Sequence, residues 1–348
     1  MNKKPFEWAV IGAGPAGIAA VGRLIDHDIP ASEILWLDPH FKVGDLGALW
    51  RNVSSNTTVA RFLAFLQASA AFGYQSADID FNLNHLPLEE TCILADVVEP
   101  LQWVTNRLLP KVASCQTLIH HILLKERLWQ LTATEQSFLA RNVILANGAA
   151  PSTLNYPGIQ QIPFETAIDK EQLAACISPG KTYGVFGSSH SAIIIIRYLV
   201  ELGVEKIINF YRSPCKYALD MGDWILFDNT GLKGQTALWA RENIDGTYPP
   251  GLNRYPVNEH SIARHLPECD QVIYAVGFEQ RRNLDIGGYE NADYNSNTGI
   301  IAPGLFGFGI GYPETKADPF GTIESQVGLW KFMVYLNKVL PIWLQYHT

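Results

Sequence analysis

The same succession of three segments occurs twice along the chain: a short apolar run, a turn of small residues, and a longer apolar segment with helical spacing. The first starts with the apolar run Trp8 to Ile11, passes through the glycine-rich turn 12–17 and continues as a small-residue segment to Leu24. The second covers residues 183–200 and ends in SAIIIIRYLV. Apolar runs bounded by turn residues predict buried strands, and the segments after them predict helices. The repeat therefore predicts an α/β fold with two Rossmann-like βαβ units, each built on a parallel sheet.

The three glycines of the first turn have the spacing of a dinucleotide-binding loop. Gly12 permits the tight turn after the strand, Gly14 lets a pyrophosphate approach the backbone, and Gly17 lets the helix pack close to the strand. The N-terminus of that helix then faces the phosphates. The glycine pattern also occurs in ordinary turns, so the flanking strand and helix are what favour a nucleotide site. Pro15 and Ala16 complete the predicted loop.

The second turn contains fewer glycines. Gly187 holds the first position of the pattern, and Ser189 stands where the second glycine would be. Serine is small enough for a close approach, and its hydroxyl can itself bind a phosphate oxygen. An ordinary turn between strand and helix is the alternative, in which His190 is a hydrogen-bonded turn residue rather than a contact of pyrophosphate or nicotinamide. The residues predicted to line this loop are Gly187, Ser188, Ser189, His190 and Ser191.

The apolar strand that follows each predicted helix ends in a residue of different charge. Residues 34–37 are followed by Asp38, whereas residues 206–211 are followed by Arg212 and Ser213. At this position an acid accepts hydrogen bonds from an adenosine ribose, and an arginine accommodates the 2′-phosphate of NADPH. We therefore predict NADPH, in preference to NADH, at the second site, and this leaves the first site to FAD. A solvated arginine is the alternative for Arg212.

Other patterns predict the elements around these units. Residues 118–145 alternate short apolar runs with polar turns, which predicts a small β-meander that returns to a buried strand at 142–146. Residues 59–72 predict an apolar helix whose aromatic side chains, together with Trp50, form either core or the wall of a substrate pocket. Residues 327–344 are apolar but carry lysines and a proline, so they predict an amphipathic helix rather than a membrane span.

Composition removes several classes of function. The 348 residues have room for about two domains, and a hydrophobic content of 47% suffices for packed cores. A formal net charge of -8 provides no basic field for nucleic acid or an anionic membrane surface. Five scattered cysteines without a CxxC pair predict a cytoplasmic protein without a disulfide framework, and without an internal thiol relay. Adjacent histidines on a strand face opposite ways, so no metal site is predicted at His120 and His121.

On these motifs the chain resembles the two-dinucleotide-binding-domain flavoproteins. This is the pyridine nucleotide-disulfide oxidoreductase superfamily, which contains thioredoxin reductase-like enzymes and flavin-containing monooxygenases. NVILANGAAP at 142–151 is similar to the segment that leads from the FAD domain into the NADPH domain, and DQVIYAVGF at 270–278 is similar to the returning segment. PGLFGFGIG at 303–311 resembles the last flavin-contacting segment.

The resemblance implies a domain organisation. It places the FAD domain at 1–150 and 281–348, with the NADPH domain inserted at 151–280 and a small β-meander in each. A helix at about 322–340 would follow the last flavin segment, with its N-terminus towards the flavin ring. The resemblance adds Asn147, Gly148, Gly309 and Gly311 to the FAD site, and Gly277 to the NADPH site.

Finer similarities point to the monooxygenase branch. GALWRNVSSNTT at 47–58 is similar to family segments near the flavin, which implies Trp50, Arg51 and Asn56 as FAD contacts. The AVGF tetrad resembles a signature of N-hydroxylating members. Two departures stand against this: residues 162–165 lack the signature histidine, and Ile310 takes the place of the usual acid after the final glycine. Glu314 or Asp318 is then the predicted substitute for a ribityl contact.

The sequence thus predicts an FAD-dependent oxidoreductase that passes hydride from NADPH to flavin and then to dioxygen or another acceptor, in the manner of a monooxygenase. One alternative is an FAD-binding redox sensor or partner-binding protein with a degenerate NAD(P)H site. Another is a reductase of the same superfamily without CxxC. The expected partner is a small-molecule substrate or electron acceptor, a homo-oligomer is left open, and no catalytic residue is assigned.

Overall fold

The computed structural model describes residues 4–289 and 292–345. The chain divides into two compact units. The first comprises the chain up to Arg51, then Thr57–Ala150 and Gln280 to the C-terminus. The second comprises Asn52–Asn56 and Pro151–Glu279, so it is inserted into the first and also takes up a short piece of the N-terminal half.

The helices follow the apolar segments of the sequence. In the described residues they are α1 (Pro15–Asp26), α2 (Gly44–Ala48), α3 (Val59–Gln67), α4 (Ala95–Leu108), α5 (Phe164–Ala167), α6 (Lys170–Cys176), α7 (His190–Glu201), α8 (Gly234–Asn243), α9 (Glu259–His265) and α10 (Leu329–Trp343). Short 3₁₀ turns lie at Ala31–Glu33, Ala70–Phe72, Tyr74–Ser76, Asn82–His85 and Leu266–Glu268.

The strands of the described residues run in chain order from β1 to β22. They are β1 (Phe6–Ile11), β2 (Ile34–Asp38), β3 (Ser54–Thr58), β4 (Thr91–Ile93), β5 (Ala113–Gln116), β6 (His121–Lys125), β7 (Leu128–Thr132), β8 (Ser137–Leu145), β9 (Ala149–Pro151), β10 (Gln160–Gln161), β11 (Thr182–Phe186), β12 (Lys206–Tyr211), β13 (Leu219–Asp220), β14 (Ile225–Leu226), β15 (Leu252–Pro256), β16 (Gln271–Tyr274), β17 (Phe278–Gln280), β18 (Asp285–Gly287), β19 (Ile300–Ala302), β20 (Leu305–Gly307), β21 (Glu314–Ala317) and β22 (Ile323–Gln326).

The first unit is built on a parallel sheet. Its strands lie in the order β5, β2, β1, β8 and β20, and every neighbouring pair is parallel. The predicted meander is confirmed, because β6 pairs antiparallel with β7, and β7 pairs antiparallel with the first residues of β8. The later residues of β8 pair in parallel with β1. Parallel strands end at the same edge of a sheet, so the glycine turn after β1 and the segment after β8 lie together.

Aromatic rings connect this sheet to the C-terminal helix. The ring of Trp8 on β1 stacks on Phe306 of β20 with centroids 5.8 Å apart, and Phe306 stacks on Trp343 of α10 at 4.8 Å. All three side chains are buried. The phenylalanines of residues 59–72 are likewise buried in this core rather than exposed on a pocket wall. The core alternative is therefore the one that the structure supports for them.

The second unit contains a five-stranded sheet in which all pairs are parallel. The strand order is β10, β16, β11, β12 and β15. The insertion after β12 forms a two-stranded hairpin of β13 and β14. The family resemblance implied a small β-meander in this unit without assigning it to particular residues. The α/β class with parallel sheets in both units is confirmed.

The helix predicted at about 322–340 is confirmed from Leu329 onward, but its predicted start is wrong. Residues 323–326 form β22, which pairs antiparallel with β21, and α10 begins only at Leu329. Side chains of β22 alternate between exposed and half-buried, which is the period of a strand. Gly328 has φ of 138°, a conformation outside the helical region, so it separates the strand from the helix. Within the residues that the structure describes, none of the helices has the length and apolarity needed to cross a membrane.

Candidate functional site

Two of the three glycines in the first turn are required by packing within the protein. A Cβ atom on Gly12, which has φ of 112°, would lie 2.2 Å from the carbonyl oxygen of Ala146. A Cβ atom on Gly17 would lie 1.9 Å from the carbonyl oxygen of Gly12. Gly14 differs, because the nearest described atom to a Cβ there is Gly44 Cα at 3.9 Å. The absence of a side chain at Gly14 thus leaves open space in front of the backbone, which suits a ligand that approaches closely.

The N-terminus of α1 has no internal cap among the described residues. Gly14 is the N-cap residue, Pro15 occupies the first turn, and no described side chain bonds the cap. The first N–H groups of a helix need partners, and the helix dipole favours an anion there. A pyrophosphate therefore fits this end of the twelve-residue helix. That Gly14, Pro15, Ala16 and Gly17 contact it stays a prediction.

Asp38, at the end of β2, organises this loop through backbone hydrogen bonds. Its Oδ2 accepts from the N–H of Ala13 at 2.7 Å, and its Oδ1 accepts from the N–H groups of His40 and Phe41, both at 2.7 Å. The residue is only 8% exposed. Its first role is therefore to hold the glycine turn and the 40–41 turn in place. That Asp38 also accepts from a ribose stays a prediction.

Asn147, just after β8, carries an amide without partners. Both its Nδ2 and its Oδ1 are buried, and neither forms a hydrogen bond to any described residue. Its backbone N lies 3.3 Å from where a Cβ of Gly12 would be, so the side chain belongs to the glycine turn region. Buried polar groups are nearly always paired, and an unpaired one calls for an explanation. A cofactor group that meets this amide supplies one, which supports Asn147 as a predicted FAD residue.

The remaining glycines predicted for the FAD site pack around the same place. A Cβ on Gly311 would lie 2.4 Å from the carbonyl oxygen of Gly148, and a Cβ on Gly309 would lie 2.6 Å from Cβ of Ala16. The segment after β20 therefore contacts both the start of α1 and the segment after β8. The structure brings all these predicted residues to one edge of the first sheet.

The two carboxylates predicted as substitutes for a ribityl contact have other partners. Glu314 is 3% exposed and pairs with Lys338 at 2.9 Å and Lys316 at 3.1 Å. Asp318 accepts backbone N–H bonds from Phe320 and Thr322 in the turn between β21 and β22. The geometry thus assigns both carboxylates to ion pairing and turn formation.

Trp50, Arg51 and Asn56 fall on either side of a boundary between the units. Trp50 is half-buried, and the exposed Arg51 lies 4.0 Å from Glu99 within the first unit. Asn56 belongs to the second unit, where its Nδ2 donates to the carbonyl oxygen of Gly231 at 3.2 Å. The buried Oδ1 of Asn56 has no described partner. Contact of these three residues with FAD stays a prediction.

Residues 52–56 are attached to the second unit at two further points. Asn52 Nδ2 donates to Asp169 Oδ2 at 2.9 Å, and His190 Nε2 donates to the carbonyl oxygen of Ser54 at 3.0 Å. Burial alone would favour the neutral form of Asp169, but hydrogen bonds from Asn52 and from the backbone of α6 outweigh it and lower its pKa. The predicted boundaries assigned this piece to the FAD domain, whereas the structure groups it with the second unit.

The second turn copies the first at its strand end. Gly187 has φ of 127°, and a Cβ there would lie 2.3 Å from the carbonyl oxygen of Ala275. Ser189 is the N-cap of α7 with an extended backbone that does not need glycine, and no described side chain caps it. Ser188 Oγ donates to the carbonyl oxygen of Ser213 at 2.7 Å, which fixes the loop after β12 against the turn. The start of α7 therefore has the same free N–H groups as α1.

His190 lies at the first position of α7 with its ring turned inward. Burial lowers the pKa of His190, although the hydrogen bond to Ser54 opposes this shift. Nδ1 is buried without a described partner, so the ring is neutral and carries its proton on Nε2. In the structure His190 serves as a turn residue that binds residues 52–56, which is the alternative that the sequence left open. Its contact with NADPH stays a prediction.

The other residues predicted for the NADPH site are accessible. Arg212 and Ser213 are exposed after β12, and the Arg212 guanidinium forms no ion pair with a described residue. Ser191 is half-buried in the first turn of α7. Gly277 has φ of 105°, no described atom lies within 4 Å of the place a Cβ would take there, and its carbonyl oxygen accepts from the N–H of Ser152. Arg212 is free to bind an anion.

Comparison with known proteins places the chain in a family. None of the protein-family models matches it. The chain is 31% identical to Monooxygenase AgnR1 of Paecilomyces divaricatus over an alignment of 381 residues, which covers 96% of this chain and 97% of that protein. The chain belongs to the family of this monooxygenase.

Solved structures share its fold over almost its whole length. The Kutzneria sp. 744 ornithine N-hydroxylase has a TM-score of 0.67 at 13% identity, covering 98% of this chain and 99% of its own. A flavin-containing monooxygenase from Stenotrophomonas maltophilia has a TM-score of 0.65 at 15% sequence identity, and the match covers 99% of both chains. Lactococcus lactis thioredoxin reductase has a TM-score of 0.60 at 12% sequence identity, and the match covers 98% of both chains. These structures confirm the predicted fold, which is that of the two-dinucleotide-binding-domain flavoproteins.

Sequence reasoning missed a polar network below the second turn of this monooxygenase-family protein. Asn209 on β12 is fully buried and donates to the carbonyl oxygens of Val185 and Gly187, at 2.9 and 2.8 Å. Its Oδ1 accepts from Arg254 Nε at 2.8 Å. The signal was present in the sequence, because a lone asparagine interrupts the apolar strand KIINFY. Buried polar groups of this kind are kept only with partners.

Proposed function

We propose that this protein is an FAD-dependent NADPH oxidoreductase that acts as a monooxygenase on a small-molecule substrate. The observation that carries the proposal is the contrast between Gly14 and its neighbours: Gly12 and Gly17 are required by protein packing, whereas Gly14 faces open space. The chain is an oxidoreductase of the same family as a monooxygenase that matches it end to end. The ornithine N-hydroxylase of the same fold was solved with reduced FAD and NADP⁺, which supports the same pair of cofactors here.

Bound FAD would supply the redox chemistry, since it takes up hydride from NADPH and delivers electrons to dioxygen. The chain's own residues bind and orient it. The N–H groups at the start of α1 bind the pyrophosphate, and the Asn147 amide provides a buried donor and acceptor. Asp38 keeps the turn of Ala13 in the conformation that this binding needs.

NADPH would occupy the second turn. The free N–H groups at the start of α7 bind its pyrophosphate, and the exposed Arg212 pairs with the 2′-phosphate. Ser188 supports this arrangement because its hydrogen bond holds Ser213, next to Arg212, close to the turn.

The cysteines favour electron transfer from the flavin to oxygen over electron transfer through a thiol relay. All five lie within the described part of the chain, and all five are free thiols. Burial raises the pKa of Cys269 to about 12 and also raises that of Cys215, so neither is a ready thiolate. Free thiols are typical of a reducing compartment, and we propose the cytoplasm. The partner is a small molecule rather than nucleic acid, given the acidic net charge.

Oxygen consumption by the FAD-saturated protein tests this function. We expect NADPH to start oxygen uptake, and catalase to return part of the oxygen when no substrate is present, because uncoupled electrons leave as peroxide. Gly14→Ala, which blocks the phosphate space, should lower uptake when FAD is limiting. A protein that binds FAD but consumes no oxygen with NADPH would instead be the redox sensor. NADPH-dependent reduction of a quinone or dye without any oxygen uptake would indicate the reductase without CxxC.

A further inference from the structure

Arg254 is a partly buried cation that pairs with no described carboxylate. It lies on β15, the strand beside β12, at the position opposite Asn209. Its Nε donates to Asn209 Oδ1 at 2.8 Å, and its guanidinium carbon lies 4.7 Å from the ring centroid of Tyr211. Charged side chains below the surface are normally paired with an opposite charge or a ligand. Its contacts orient the guanidinium without neutralising it.

Asn209 connects this arginine to the nucleotide turn. Its Nδ2 group donates both of its hydrogens, to the carbonyl oxygens of Val185 and Gly187, and this leaves Oδ1 for Arg254. The side chain is 0% exposed, so its orientation is fixed by these three bonds. The guanidinium therefore has a defined position relative to the glycine turn that would hold the pyrophosphate.

The guanidinium also borders the loop that carries Arg212. β12 ends at Tyr211, over whose ring Arg254 lies, and Arg254 Nη2 is 4.0 Å from Cys215 Sγ at the far side of the same loop. The hydrogen bond from Ser188 to Ser213 holds the middle of this loop against the turn. Arg254 and Arg212 thus flank one short loop at the end of β12.

We propose that Arg254 is a second cation for the 2′-phosphate of NADPH, alongside Arg212, and that Asn209 is its positioning residue. This inference rests on the proposed use of the second site for NADPH. A 2′-phosphate carries more than one negative charge at neutral pH, so one exposed arginine neutralises it only in part. Arg254 uses Nε for Asn209 and keeps nitrogens for phosphate oxygens, and a preoriented guanidinium loses little freedom on binding.

Calorimetric titration of the full-length, FAD-saturated protein with adenosine 2′,5′-bisphosphate and with 5′-AMP tests the inference. We expect the wild type to bind the bisphosphate more tightly. Arg254→Met should weaken bisphosphate binding by about tenfold or more and leave 5′-AMP binding unchanged. Asn209→Ala should lower the ratio of the two affinities, which a general loss of structure would not do. The matched control is Arg264→Met, an exposed arginine on α9, which should change neither affinity.

The outcomes separate this inference from the proposed function. If the wild type prefers the bisphosphate and Arg254→Met retains the full preference, the role of Arg254 is overturned while NADPH at this site stands. If the wild type shows no preference, both are overturned. Should Arg254→Met fail to bind 5′-AMP, Arg254→Gln decides, because it removes the charge but keeps a polar side chain that can still donate to Asn209 Oδ1. A reduced preference in that variant supports the inference, and an unchanged one contradicts it.

Discussion

Gly17 on α1 packs against Gly12 so closely that a Cβ atom on Gly17 would lie 1.9 Å from the Gly12 carbonyl oxygen. Gly12 is in turn confined by Ala146 at the end of β8. The nearest described atom to a Cβ on Gly14, between them, would be Gly44 Cα at 3.9 Å. Protein packing thus explains the glycines at positions 12 and 17 but not the one at position 14, where we propose that a ligand approaches the backbone.

This division predicts opposite effects for two similar substitutions. Gly14→Ala should leave the unfolding midpoint of the FAD-free protein nearly unchanged, because its backbone φ of -74° suits alanine and its Cβ meets open space. It should lower FAD affinity at least tenfold, about 1.4 kcal/mol. Gly17→Ala should destabilise the FAD-free protein by about 1–3 kcal/mol, because α1 must move away from the turn. Urea unfolding and fluorescence titration with FAD give both quantities, and equal loss of stability in the two variants would contradict the division.

A pattern of short range was enough to predict the nucleotide turns. The order of strand, glycine turn and helix is decided by neighbours in sequence, and both turns form where they were predicted. The apolar pattern at 327–344 predicted α10 to within two residues of its start at Leu329. The family resemblance placed that start too early, because the strand at 323–326 exists only through its pairing with residues 314–317. Strand pairing of this kind depends on partners that local apolar spacing does not specify.

Long-range hydrogen bonds account for the other differences. Asp38 has the position of a ribose ligand by sequence, yet its oxygens accept from three backbone N–H groups. Residues 52–56 join the second unit through bonds to Asp169, His190 and Gly231, which lie more than 100 positions away. The sequence shows that such side chains can bond, but only the fold brings their partners to them.

The unpaired amide of Asn147 predicts that replacing it lowers FAD affinity without lowering the stability of the FAD-free protein. Asn147→Leu removes two buried polar atoms that have no described partner, and an unsatisfied buried group costs about 1–3 kcal/mol. We expect the FAD-free variant to be as stable as the wild type or more stable in urea, and its FAD affinity to fall. A variant that is destabilised without FAD, yet binds FAD as the wild type does, would show that Asn147 serves the fold alone.

Arg212 should determine the choice of nicotinamide cofactor. Arg212→Ala removes an exposed guanidinium with no described ion-pair partner, so it should not affect stability. We expect KM for NADPH to rise about tenfold or more, and KM for NADH to change little, because NADH lacks the 2′-phosphate. Steady-state kinetics with both cofactors measure this. Equal changes for NADPH and NADH would refute the assignment.

His190 should make the protein less stable in mild acid. Its pKa is lowered by burial in the folded protein, so below about pH 6.5 the unfolded chain takes up a proton that the folded protein does not. Stability from this residue is therefore full above about pH 6.5 and is lost as the pH falls towards the lowered pKa. His190→Gln keeps a donor for Ser54 but does not titrate, and should lose less stability between about pH 7 and pH 5. Urea unfolding midpoints of the wild type and the variant at the two pH values measure this difference. An identical loss of stability in both proteins would contradict this role of His190.

Anaerobic mixing of the FAD-loaded protein with NADPH tests the central claim most directly. The visible absorption band of oxidised flavin reports hydride transfer from one cofactor to the other, whatever the substrate is. We predict that NADPH bleaches this band rapidly, that NADH does so more slowly at the same concentration, and that admission of air restores it. Tight FAD binding with a band that NADPH leaves unchanged would contradict the claim that the two sites act together as an oxidoreductase.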